Sequence, residues 1–355
     1  MTHWPGCDVD DVAALDTLLH PFQIGAIAWP AGGRVLFLGA RLGRGLPAEA
    51  GRWAMEQPFK PYAQQLASAG LASLPFIAEQ EFDLVLVLVP RQRLEARGLL
   101  ARALRCTRPG GVLACAAANN EGARSAERDL VRLAGPVQSL SKHKGRAFWL
   151  RRDDSTDAAA LAREWAMLEE PRAIAGGQFM SQPGLFSWDR IDPGSALLAE
   201  CLPANLHGHG ADLGAGSGYL SSELVRRCAA ITALDLFEAD ARALALARQN
   251  LAALPARSPP LRLDFHWHDV ASGLPGSYDF MISNPPFHQG RADLPELGRA
   301  FISAAAAALR PGGSFWMVAN RHLPYEAALE RGFAAMRVLT VRDGFKVIEA
   351  TKANA

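Results

Sequence analysis

The feature that most constrains the fold of this chain is an internal duplication, because the same landmarks occur twice in the same order. Apolar runs end at prolines in FDLVLVLVP (82–90) and YDFMISNPP (278–286), and RPGG turns follow at 108–111 and 310–313. Strands entering glycine turns precede them at VLFLGARLGRG (35–45) and ADLGAGSG (211–218), and KGRAFWLRR (144–152) and DGFKVIEATK (343–352) close each half. Four matching landmarks predict two domains of one architecture.

The composition agrees with a globular protein of two domains. The chain has 355 residues, of which 49% are hydrophobic and 21% charged, and it exceeds the usual length of one domain. It has neither an uninterrupted apolar run of about 18 residues nor a signal-peptide pattern. Its five scattered cysteines form no CxxC pair, which indicates reduced thiols. We therefore expect a cytoplasmic protein with no membrane partner and no metal; a monomer is the expected state, although the sequence does not set it.

Apolar strands alternate with helical patterns, most clearly in the second half. That order predicts a mostly parallel sheet covered by helices on both faces, and the Asp-Gly pair at 343–344 signals a final hairpin. The predicted fold class is α/β, with two tandem Rossmann-like domains whose sheets each end in an antiparallel strand. The predicted division is a first domain at 1–155, a connecting helix within 156–180 and a second domain at 181–355.

The two copies differ in their chemically distinctive residues. The first has LGAR at 38–41 where the second has DLGAG at 212–216, and VPRQ at 89–92 where the second has NPPF at 284–287. The first copy is therefore predicted to keep the architecture without the chemistry, and to serve in substrate positioning.

A glycine-rich turn, ADLGAGSGYL (211–220), joins a strand to a helix in the second half. Its glycines are Gly214, Gly216 and Gly218. Small residues let the backbone approach a ligand, and the helix N-terminus offers free N–H groups. With Asp212 before it, the turn predicts a cofactor site, and tight helix–strand packing is the alternative. The dinucleotide fingerprint needs a third glycine where Tyr219 stands, which disfavours an oxidoreductase.

Two further acidic residues follow neighbouring predicted strands. We interpret Asp235, in ALDLF, as ending the second strand, where it would hydrogen-bond a ribose diol. Asp269, in WHDV, follows the third strand and would accept from an adenine amino group, although an ordinary loop carboxylate is an equal alternative.

The stretch SNPPFH (283–288) ends the fourth predicted strand and suits chemistry on an exocyclic amine. The nitrogen of such an amine is a poor nucleophile until its hydrogens are held by acceptors, which the Asn284 side-chain oxygen and the Pro285 carbonyl would supply. Pro285 and Pro286 make the turn rigid, and Phe287 offers a stacking face for a flipped base. His288 is a weaker candidate, because loop histidines are more often solvated.

These residues resemble the class I S-adenosylmethionine-dependent methyltransferases that modify exocyclic amines. The pair DLGAGSG and SNPPFH, together with PGLFSWDRIDPGSALL (183–198), VANRHLPY (318–325) and GFKVIEA (344–350), looks like the bacterial 16S ribosomal RNA guanine-N2 methyltransferases of the small-subunit methyltransferase C type. The resemblance also covers NNEGARSAERDL (119–130) and is weak before residue 82.

The resemblance implies a function and a set of site residues. It implies transfer of a methyl group from S-adenosyl-L-methionine to guanine N2 in ribosomal RNA, or in the small ribosomal subunit. It places the cofactor at the turn residues 212–216 and Asp235, with Phe186 and Ser187 closing over it, and the target base at 284–287. Large-subunit guanine, adenine N6 and protein glutamine remain alternative targets, and a vestigial binding protein is the non-enzymatic alternative.

RNA contact must be local, because the net charge is only +1. The segment SKHKGRAFWLRR (141–152) has five basic residues and no acidic one: Lys142, Lys144, Arg146, Arg151 and Arg152. With Phe148 and Trp149 interleaved, it predicts backbone binding with base stacking. An edge strand protected by charges is the alternative.

Overall fold

The computed structural model describes residues 9–43, 45–46, 52–153, 159–258, 260–286, 288–289, 292–293 and 295–354. Within these ranges the chain forms two compact units. The amino-terminal unit comprises residues 9–171 and 182–184, and the carboxy-terminal unit comprises residues 172–181 and 185–354. The described helix in the predicted connecting segment, at 159–166, belongs to the amino-terminal unit.

The amino-terminal unit alternates strands and helices around one sheet. Its strands are β1 (Arg34–Leu38), β2 (Arg52–Glu56), β3 (Phe82–Leu88), β4 (Thr107–Ala118), β5 (Gln138–Lys142) and β6 (Gly145–Arg151). Its helices are α1 (Val9–Gln23), α2 (Lys60–Ser68), α3 (Arg93–Cys106), α4 (Ala123–Ala134) and α5 (Ala159–Ala166), with a 3-10 turn at Asn119–Glu121. The sheet order is β2-β1-β3-β4-β6-β5. Strands β1 to β4 are parallel, and β6 is antiparallel to both of its neighbours.

Hydrophobic side chains cover both faces of this sheet. One core joins residues of α3, α4 and α5, including Trp165, to the sheet, and the other joins α1 to the opposite face. Phe148 belongs to the first core and Trp149 to the second, because successive strand residues face opposite sides. Both rings are buried, so the predicted stacking on Phe148 and Trp149 is wrong. The edge-strand alternative holds only for residues 141 and 142, which end the edge strand β5, whereas β6 is an inner strand.

The carboxy-terminal unit repeats the plan with one more strand in its main sheet. Its strands are β7 (Arg172–Ile174), β8 (Phe179–Ser181), β9 (Gly208–Leu213), β10 (Ile231–Glu238), β11 (Arg262–Trp267), β12 (Tyr278–Ser283), β13 (His288–Gln289), β14 (Ala292–Asp293), β15 (Leu309–Asn320), β16 (Ala335–Arg342) and β17 (Phe345–Thr351). Its helices are α6 (Pro193–Cys201), α7 (Tyr219–Arg227), α8 (Ala241–Ala252), α9 (Pro295–Ala308) and α10 (Glu326–Gly332), with 3-10 turns at Ala175–Gly177 and Val270–Ser272.

The seven-stranded sheet of this unit has the order β11-β10-β9-β12-β15-β17-β16, and β7–β8 and β13–β14 form separate two-stranded sheets. Only β17 is reversed in direction among the strands of the main sheet, so it runs antiparallel to both β15 and β16. It follows a two-residue turn in which Asp343 and Gly344 have φ of 53° and 84°, as a tight hairpin requires. The predicted fold class is confirmed: both units are α/β, mostly parallel, with an antiparallel last strand.

Strand register aligns the two units residue by residue. Leu38 lies opposite Glu56 and Val87, and Leu213 lies opposite Phe237 and Ser283. The residues that follow, Gln57 and Glu238, are therefore counterparts, and so are Leu88 and Asn284. The predicted match of 89–92 with 284–287 is thus displaced by one residue.

A further shared device ties the start of the sheet to the RPGG turn in each unit. Asp83 accepts from the Arg34 N–H (2.7 Å) and the Arg108 guanidinium (2.6 Å), and Asp279 accepts from the His209 N–H (2.8 Å) and the Arg310 guanidinium (2.7 Å). This repeated ion pair is structural, because in both units it lies at the amino edge of the strands.

Candidate cofactor and target-base site

Three adjacent strands of the carboxy-terminal unit end at the same level. Leu213 of β9 lies between Phe237 of β10 and Ser283 of β12, and the Ser283 hydroxyl donates to the Leu213 carbonyl over 2.7 Å. The glycine turn, Glu238 and Asn284 therefore emerge side by side at the carboxyl edge of the sheet, where open α/β sheets bind ligands.

The glycine turn needs its glycines for conformation and for space. Gly214, Gly216 and Gly218 have φ of 75°, 56° and 88°, in the left-handed region that disfavours side chains. A Cβ on Gly218 would lie 3.1 Å from that of Ala247, whereas one on Gly216 would meet nothing within 4 Å. Gly218 thus serves packing, and Gly216 leaves open space beside the backbone.

Glu238 is the acidic residue at the end of β10, and it was missed in the sequence. Its carboxylate accepts from the N–H groups of Gly216 and Asp240, both at 2.8 Å. Burial raises its pKa to about 7. The sequence does contain a signal for Glu238, because the strand ITALDLFE (231–238) continues beyond Leu236 and ends at Glu238. Its place beside the glycine turn is the one that a ribose-binding carboxylate needs.

Asp235, predicted to end that strand, lies three residues before its end. It is buried, accepts from the Tyr278 hydroxyl over 2.9 Å and lies 3.0 Å from the Nε2 atom of His209. These contacts lie below the level at which the ligand-facing residues emerge, which disfavours the predicted ribose contact by Asp235 and favours Glu238 for that role.

Asp212 lies in β9, two residues before Gly214, the first glycine of the turn. It is fully buried, and its Oδ2 atom accepts from the Ser221 hydroxyl over 2.7 Å. Burial first, with the nearby Glu238 carboxylate adding to it, raises its pKa to about 7. Its Oδ1 atom has no hydrogen-bond partner among the described residues. An unpaired buried carboxylate oxygen and a second carboxylate fit a cationic ligand such as S-adenosylmethionine.

The other predicted cofactor residues have different local surroundings. Asp269 is buried and caps the 3-10 turn through the Ala271 N–H at 2.9 Å, and burial raises its pKa. Phe186 is 73% exposed. Ser187 has a φ of 48°, an unusual backbone conformation for a non-glycine residue. Their contact with a cofactor remains a prediction.

Asn284 is held by its amide nitrogen. The Nδ2 group donates to Oδ2 of Asp192 and to Oγ of Ser195, both at 2.8 Å. None of the described residues donates to its Oδ1 atom, so that oxygen remains an acceptor. Pro285 is buried and Pro286 exposed. Phe287 and the side chain of His288 lie outside the described residues.

The cofactor and target residues are neighbours in space. A Cβ built on Gly214 would lie 4.0 Å from the backbone oxygen of Asn284. The glycine turn, which would bind the methyl donor, and the Asn-Pro-Pro turn, which would bind the target base, thus lie side by side.

The amino-terminal unit has filled the corresponding positions with its own side chains. Gln57, the counterpart of Glu238, donates from Nε2 to the Ala40 carbonyl over 2.7 Å and accepts from the Phe59 N–H over 2.9 Å. Arg41 stands where the other unit has Gly216, and its guanidinium lies over the Tyr62 ring. A side chain thus replaces the open space at Gly216.

The five predicted RNA-binding residues do not form one surface. Lys142 and Lys144 lie exposed at the hairpin on the carboxyl edge, whereas Arg151 pairs with Val112 at the amino edge. Arg152 donates to carbonyls at the end of α3, and Arg146 pairs with Glu127. The single patch is therefore split by the direction of β6.

Two features are absent from the described part of the chain. No group of three or more His, Cys, Asp or Glu side chains there is arranged to hold a metal ion. No helix in those residues is long and apolar enough to cross a membrane.

The strand order, the glycine turn after β9 and the Asn-Pro-Pro turn after β12 define a class I methyltransferase unit. The methyltransferase small domain family matches residues 176–349. A ribosomal RNA small subunit methyltransferase C of Pseudomonas aeruginosa (strain LESB58) is 32% identical over 267 residues, 74% of this chain and 77% of that protein. The Sodalis glossinidius protein of the same name is 39% identical over 168 residues, 47% of this chain and 46% of that protein.

A solved structure is similar over nearly the whole chain. The T. thermophilus 16S rRNA N2 G1207 methyltransferase (RsmC), in complex with AdoMet and guanosine, has a TM-score of 0.75 and 26% identity, covering 97% of this chain and 92% of that one. The chain belongs to the ribosomal RNA small subunit methyltransferase C family.

Proposed function

We propose that this chain transfers a methyl group from S-adenosyl-L-methionine to the exocyclic N2 amine of a guanine in 16S ribosomal RNA. The observation that carries the proposal is that Asn284 and the glycine turn adjoin at the ends of β12 and β9. The names of the similar proteins, which state 16S rRNA and guanine N2 for the T. thermophilus enzyme, support the same target. The proposed substrate implies a cytoplasmic location.

S-adenosylmethionine, when bound, supplies a methyl group on a cationic sulfonium. Glu238 would hold its ribose, Asp212 would favour its positive charge, and the Gly216 backbone leaves room for it. These roles need both carboxylates ionised, although burial raises the pKa of each to about 7.

Asn284 would orient the target amine. Its Oδ1 atom and the Pro285 carbonyl would accept the two N–H groups, which makes the nitrogen lone pair available. The rigid Pro285-Pro286 turn fixes these acceptors before the substrate arrives. Methylation makes the amine acidic, so a strong general base is not required.

RNA binding is proposed for a surface that differs from the predicted patch. It consists of Lys142 and Lys144 on the β5–β6 hairpin and of Arg124, Arg128 and Arg132 on α4, which we call the hairpin–α4 surface. The arginines are spaced by four residues, so they share one face of the helix. All five side chains belong to exposed residues, and among the described residues none is ion-paired with a carboxylate.

The hairpin and the helix are joined at the carboxyl edge of the sheet. The Asn119 N–H, just before α4, donates to the Lys144 carbonyl over 2.9 Å. Arg124 lies in the first helical turn, where a cation is unfavourable beside the positive end of the helix dipole. An anionic partner such as an RNA backbone would relieve that repulsion. The amino-terminal unit is thus proposed to position RNA and the carboxy-terminal unit to catalyse.

The function is tested by methyl transfer from radiolabelled S-adenosylmethionine to small subunits from cells that lack the enzyme. We expect incorporation at one guanine N2, located by nucleotide-resolution mapping. Naked 16S RNA, large subunits, adenine-containing DNA and a release factor are tested in parallel. Transfer to one of the last three substrates, with none to small-subunit RNA, would contradict the proposal.

A further inference from the structure

We infer that Asp192 is a positioning residue that locks the side-chain amide of Asn284 in the orientation needed for catalysis. Asp192 and Ser195 both accept from Nδ2 of Asn284, but the two contacts differ in kind. A carboxylate has no hydrogen to donate, whereas a hydroxyl can donate or accept. Only Asp192 therefore distinguishes the two ends of the amide. This inference rests on the proposed role of the Asn284 oxygen.

A rotated Asn284 amide would be strongly disfavoured. Rotation by 180° would place Oδ1 against Oδ2 of Asp192, at the 2.8 Å now occupied by an N–H···O hydrogen bond. Two acceptors at that distance repel each other, and the charge-assisted bond would be lost. With Nδ2 facing Asp192, Oδ1 faces away from it and stays available for the target amine.

Asp192 is itself fixed by the first turn of α6. It is the N-cap of that helix, and its Oδ2 atom also accepts from the Ser195 N–H over 2.8 Å. Pro193 follows it and limits the backbone at the helix start. A Cβ on Gly194 would lie 3.0 Å from the Phe345 ring of β17, so this turn packs closely on the sheet. Asp192 is thus fixed by helix α6 and its packing on the sheet, and not by a bound ligand.

Asp192→Asn separates positioning from helix capping. Asparagine caps helices as well as aspartate does, so α6 should remain stable. The asparagine oxygen takes the place of Oδ2, which accepts from both the Ser195 N–H and Nδ2 of Asn284. The bond to Asn284 then loses its charge assistance, so the amide is held less firmly while the cap is kept. Ser195→Ala is the matched variant, because it loses one hydrogen bond to Asn284 but keeps both the carboxylate and the backbone cap.

The variants are compared at saturating S-adenosylmethionine and saturating small subunits. We expect Asp192→Asn to lower kcat about tenfold and Ser195→Ala only about two- to threefold, in line with charged and neutral hydrogen bonds. The Tm and the Kd for S-adenosylmethionine should stay near the wild-type values. A kcat within twofold of wild type for Asp192→Asn would overturn the inference, and so would a weakened Kd with unchanged kcat.

A second measurement needs no RNA. With asparagine-selective ¹⁵N labelling, the Asn284 side-chain amide is assigned as the signal that Asn284→Ser removes. We expect its protons to exchange with water at least about tenfold faster in Asp192→Asn than in wild type. Unchanged exchange would refute the lock. Wild-type enzyme that methylates no guanine would instead refute the proposed function, and this exchange result would still stand on its own.

Discussion

Gly216 donates its backbone N–H to the carboxylate of Glu238 over 2.8 Å. This bond joins the glycine turn to the end of β10 and places a carboxylate beside the open space at Gly216. Glu238→Gln should therefore weaken S-adenosylmethionine binding by roughly 10–100-fold, as expected for hydrogen bonds to a charged group. Isothermal titration measures this change.

Asp235→Asn is the matched comparison for Glu238→Gln. We expect it to keep cofactor affinity and to lower the free energy of unfolding by about 1–3 kcal/mol, because its contacts to Tyr278 and His209 are buried. Urea unfolding measures this loss. Cofactor binding that depends on Asp235 and not on Glu238 would show that the reassignment is wrong.

Cofactor affinity should depend on pH near neutrality. The pKa values of Asp212 and Glu238 are raised to about 7, so both carry protons in mildly acidic solution. A cationic ligand favours the ionised forms. The affinity should therefore weaken as pH falls below about 7, by up to about tenfold per pH unit for each proton released. Titration calorimetry from pH 5.5 to 8.5 checks this dependence.

The same two groups set a trend in the stability of the unliganded protein. Their folded pKa values lie above the reference values of 3.8 and 4.5. Their contribution is therefore fully present below about pH 4 and is lost as pH rises through about 7. Asp212→Asn should flatten this decline in Tm and also the pH dependence of binding. Identical pH profiles for the variant and wild type would exclude Asp212 as a source.

Asn284→Ala should lower kcat by roughly a hundredfold or more, comparable to removing one preorganised group from a catalytic site. The Kd for S-adenosylmethionine should stay near normal, because Asn284 serves the target amine. Single-turnover assays and calorimetry check both values. Lost cofactor affinity with retained turnover would mean that the two strand ends have exchanged roles.

Removing charge from the hairpin–α4 surface should weaken RNA binding in a salt-dependent way. For the combined variant Arg124→Gln, Arg128→Gln and Arg132→Gln, the slope of log affinity against log salt should become shallower by about 2–3. Filter binding across a salt series measures it. The control, Arg52→Gln, Arg163→Gln and Arg331→Gln, removes the same charge from other exposed positions. If the two triple variants changed the salt dependence of RNA affinity equally, the proposed role of the hairpin–α4 surface would be refuted.

The fold could be predicted because its signals are local and repeated. Apolar strand runs, the RPGG turns and the Asp-Gly hairpin each act over a few residues, and the duplication presents most of them twice. The sequence also placed the glycine turn and Asn284 after the first and fourth strands of the second half. That these two strands are neighbours depends on the crossover in the sheet order, which was not predicted from the sequence.

The errors arose where a strand's length or direction decided the outcome. Extending β10 by two residues beyond Leu236 moves the carboxylate at the strand end from Asp235 to Glu238, and the antiparallel course of β6 separates Lys144 from Arg151. The pairing of Asn284 with Asp192 spans 92 residues. Nothing in the local sequence of either one reveals that contact.

The hydrogen bonds of Gln57 with Ala40 and Phe59 have a consequence for the evolution of this chain. To bind S-adenosylmethionine, the amino-terminal unit would need an acidic residue in place of Gln57, a small residue in place of Arg41 and a polar residue in place of Leu88. Each step alone would break an existing contact without creating a working site. The structure therefore favours continued divergence of the two halves over a return of the amino-terminal half to a second cofactor site.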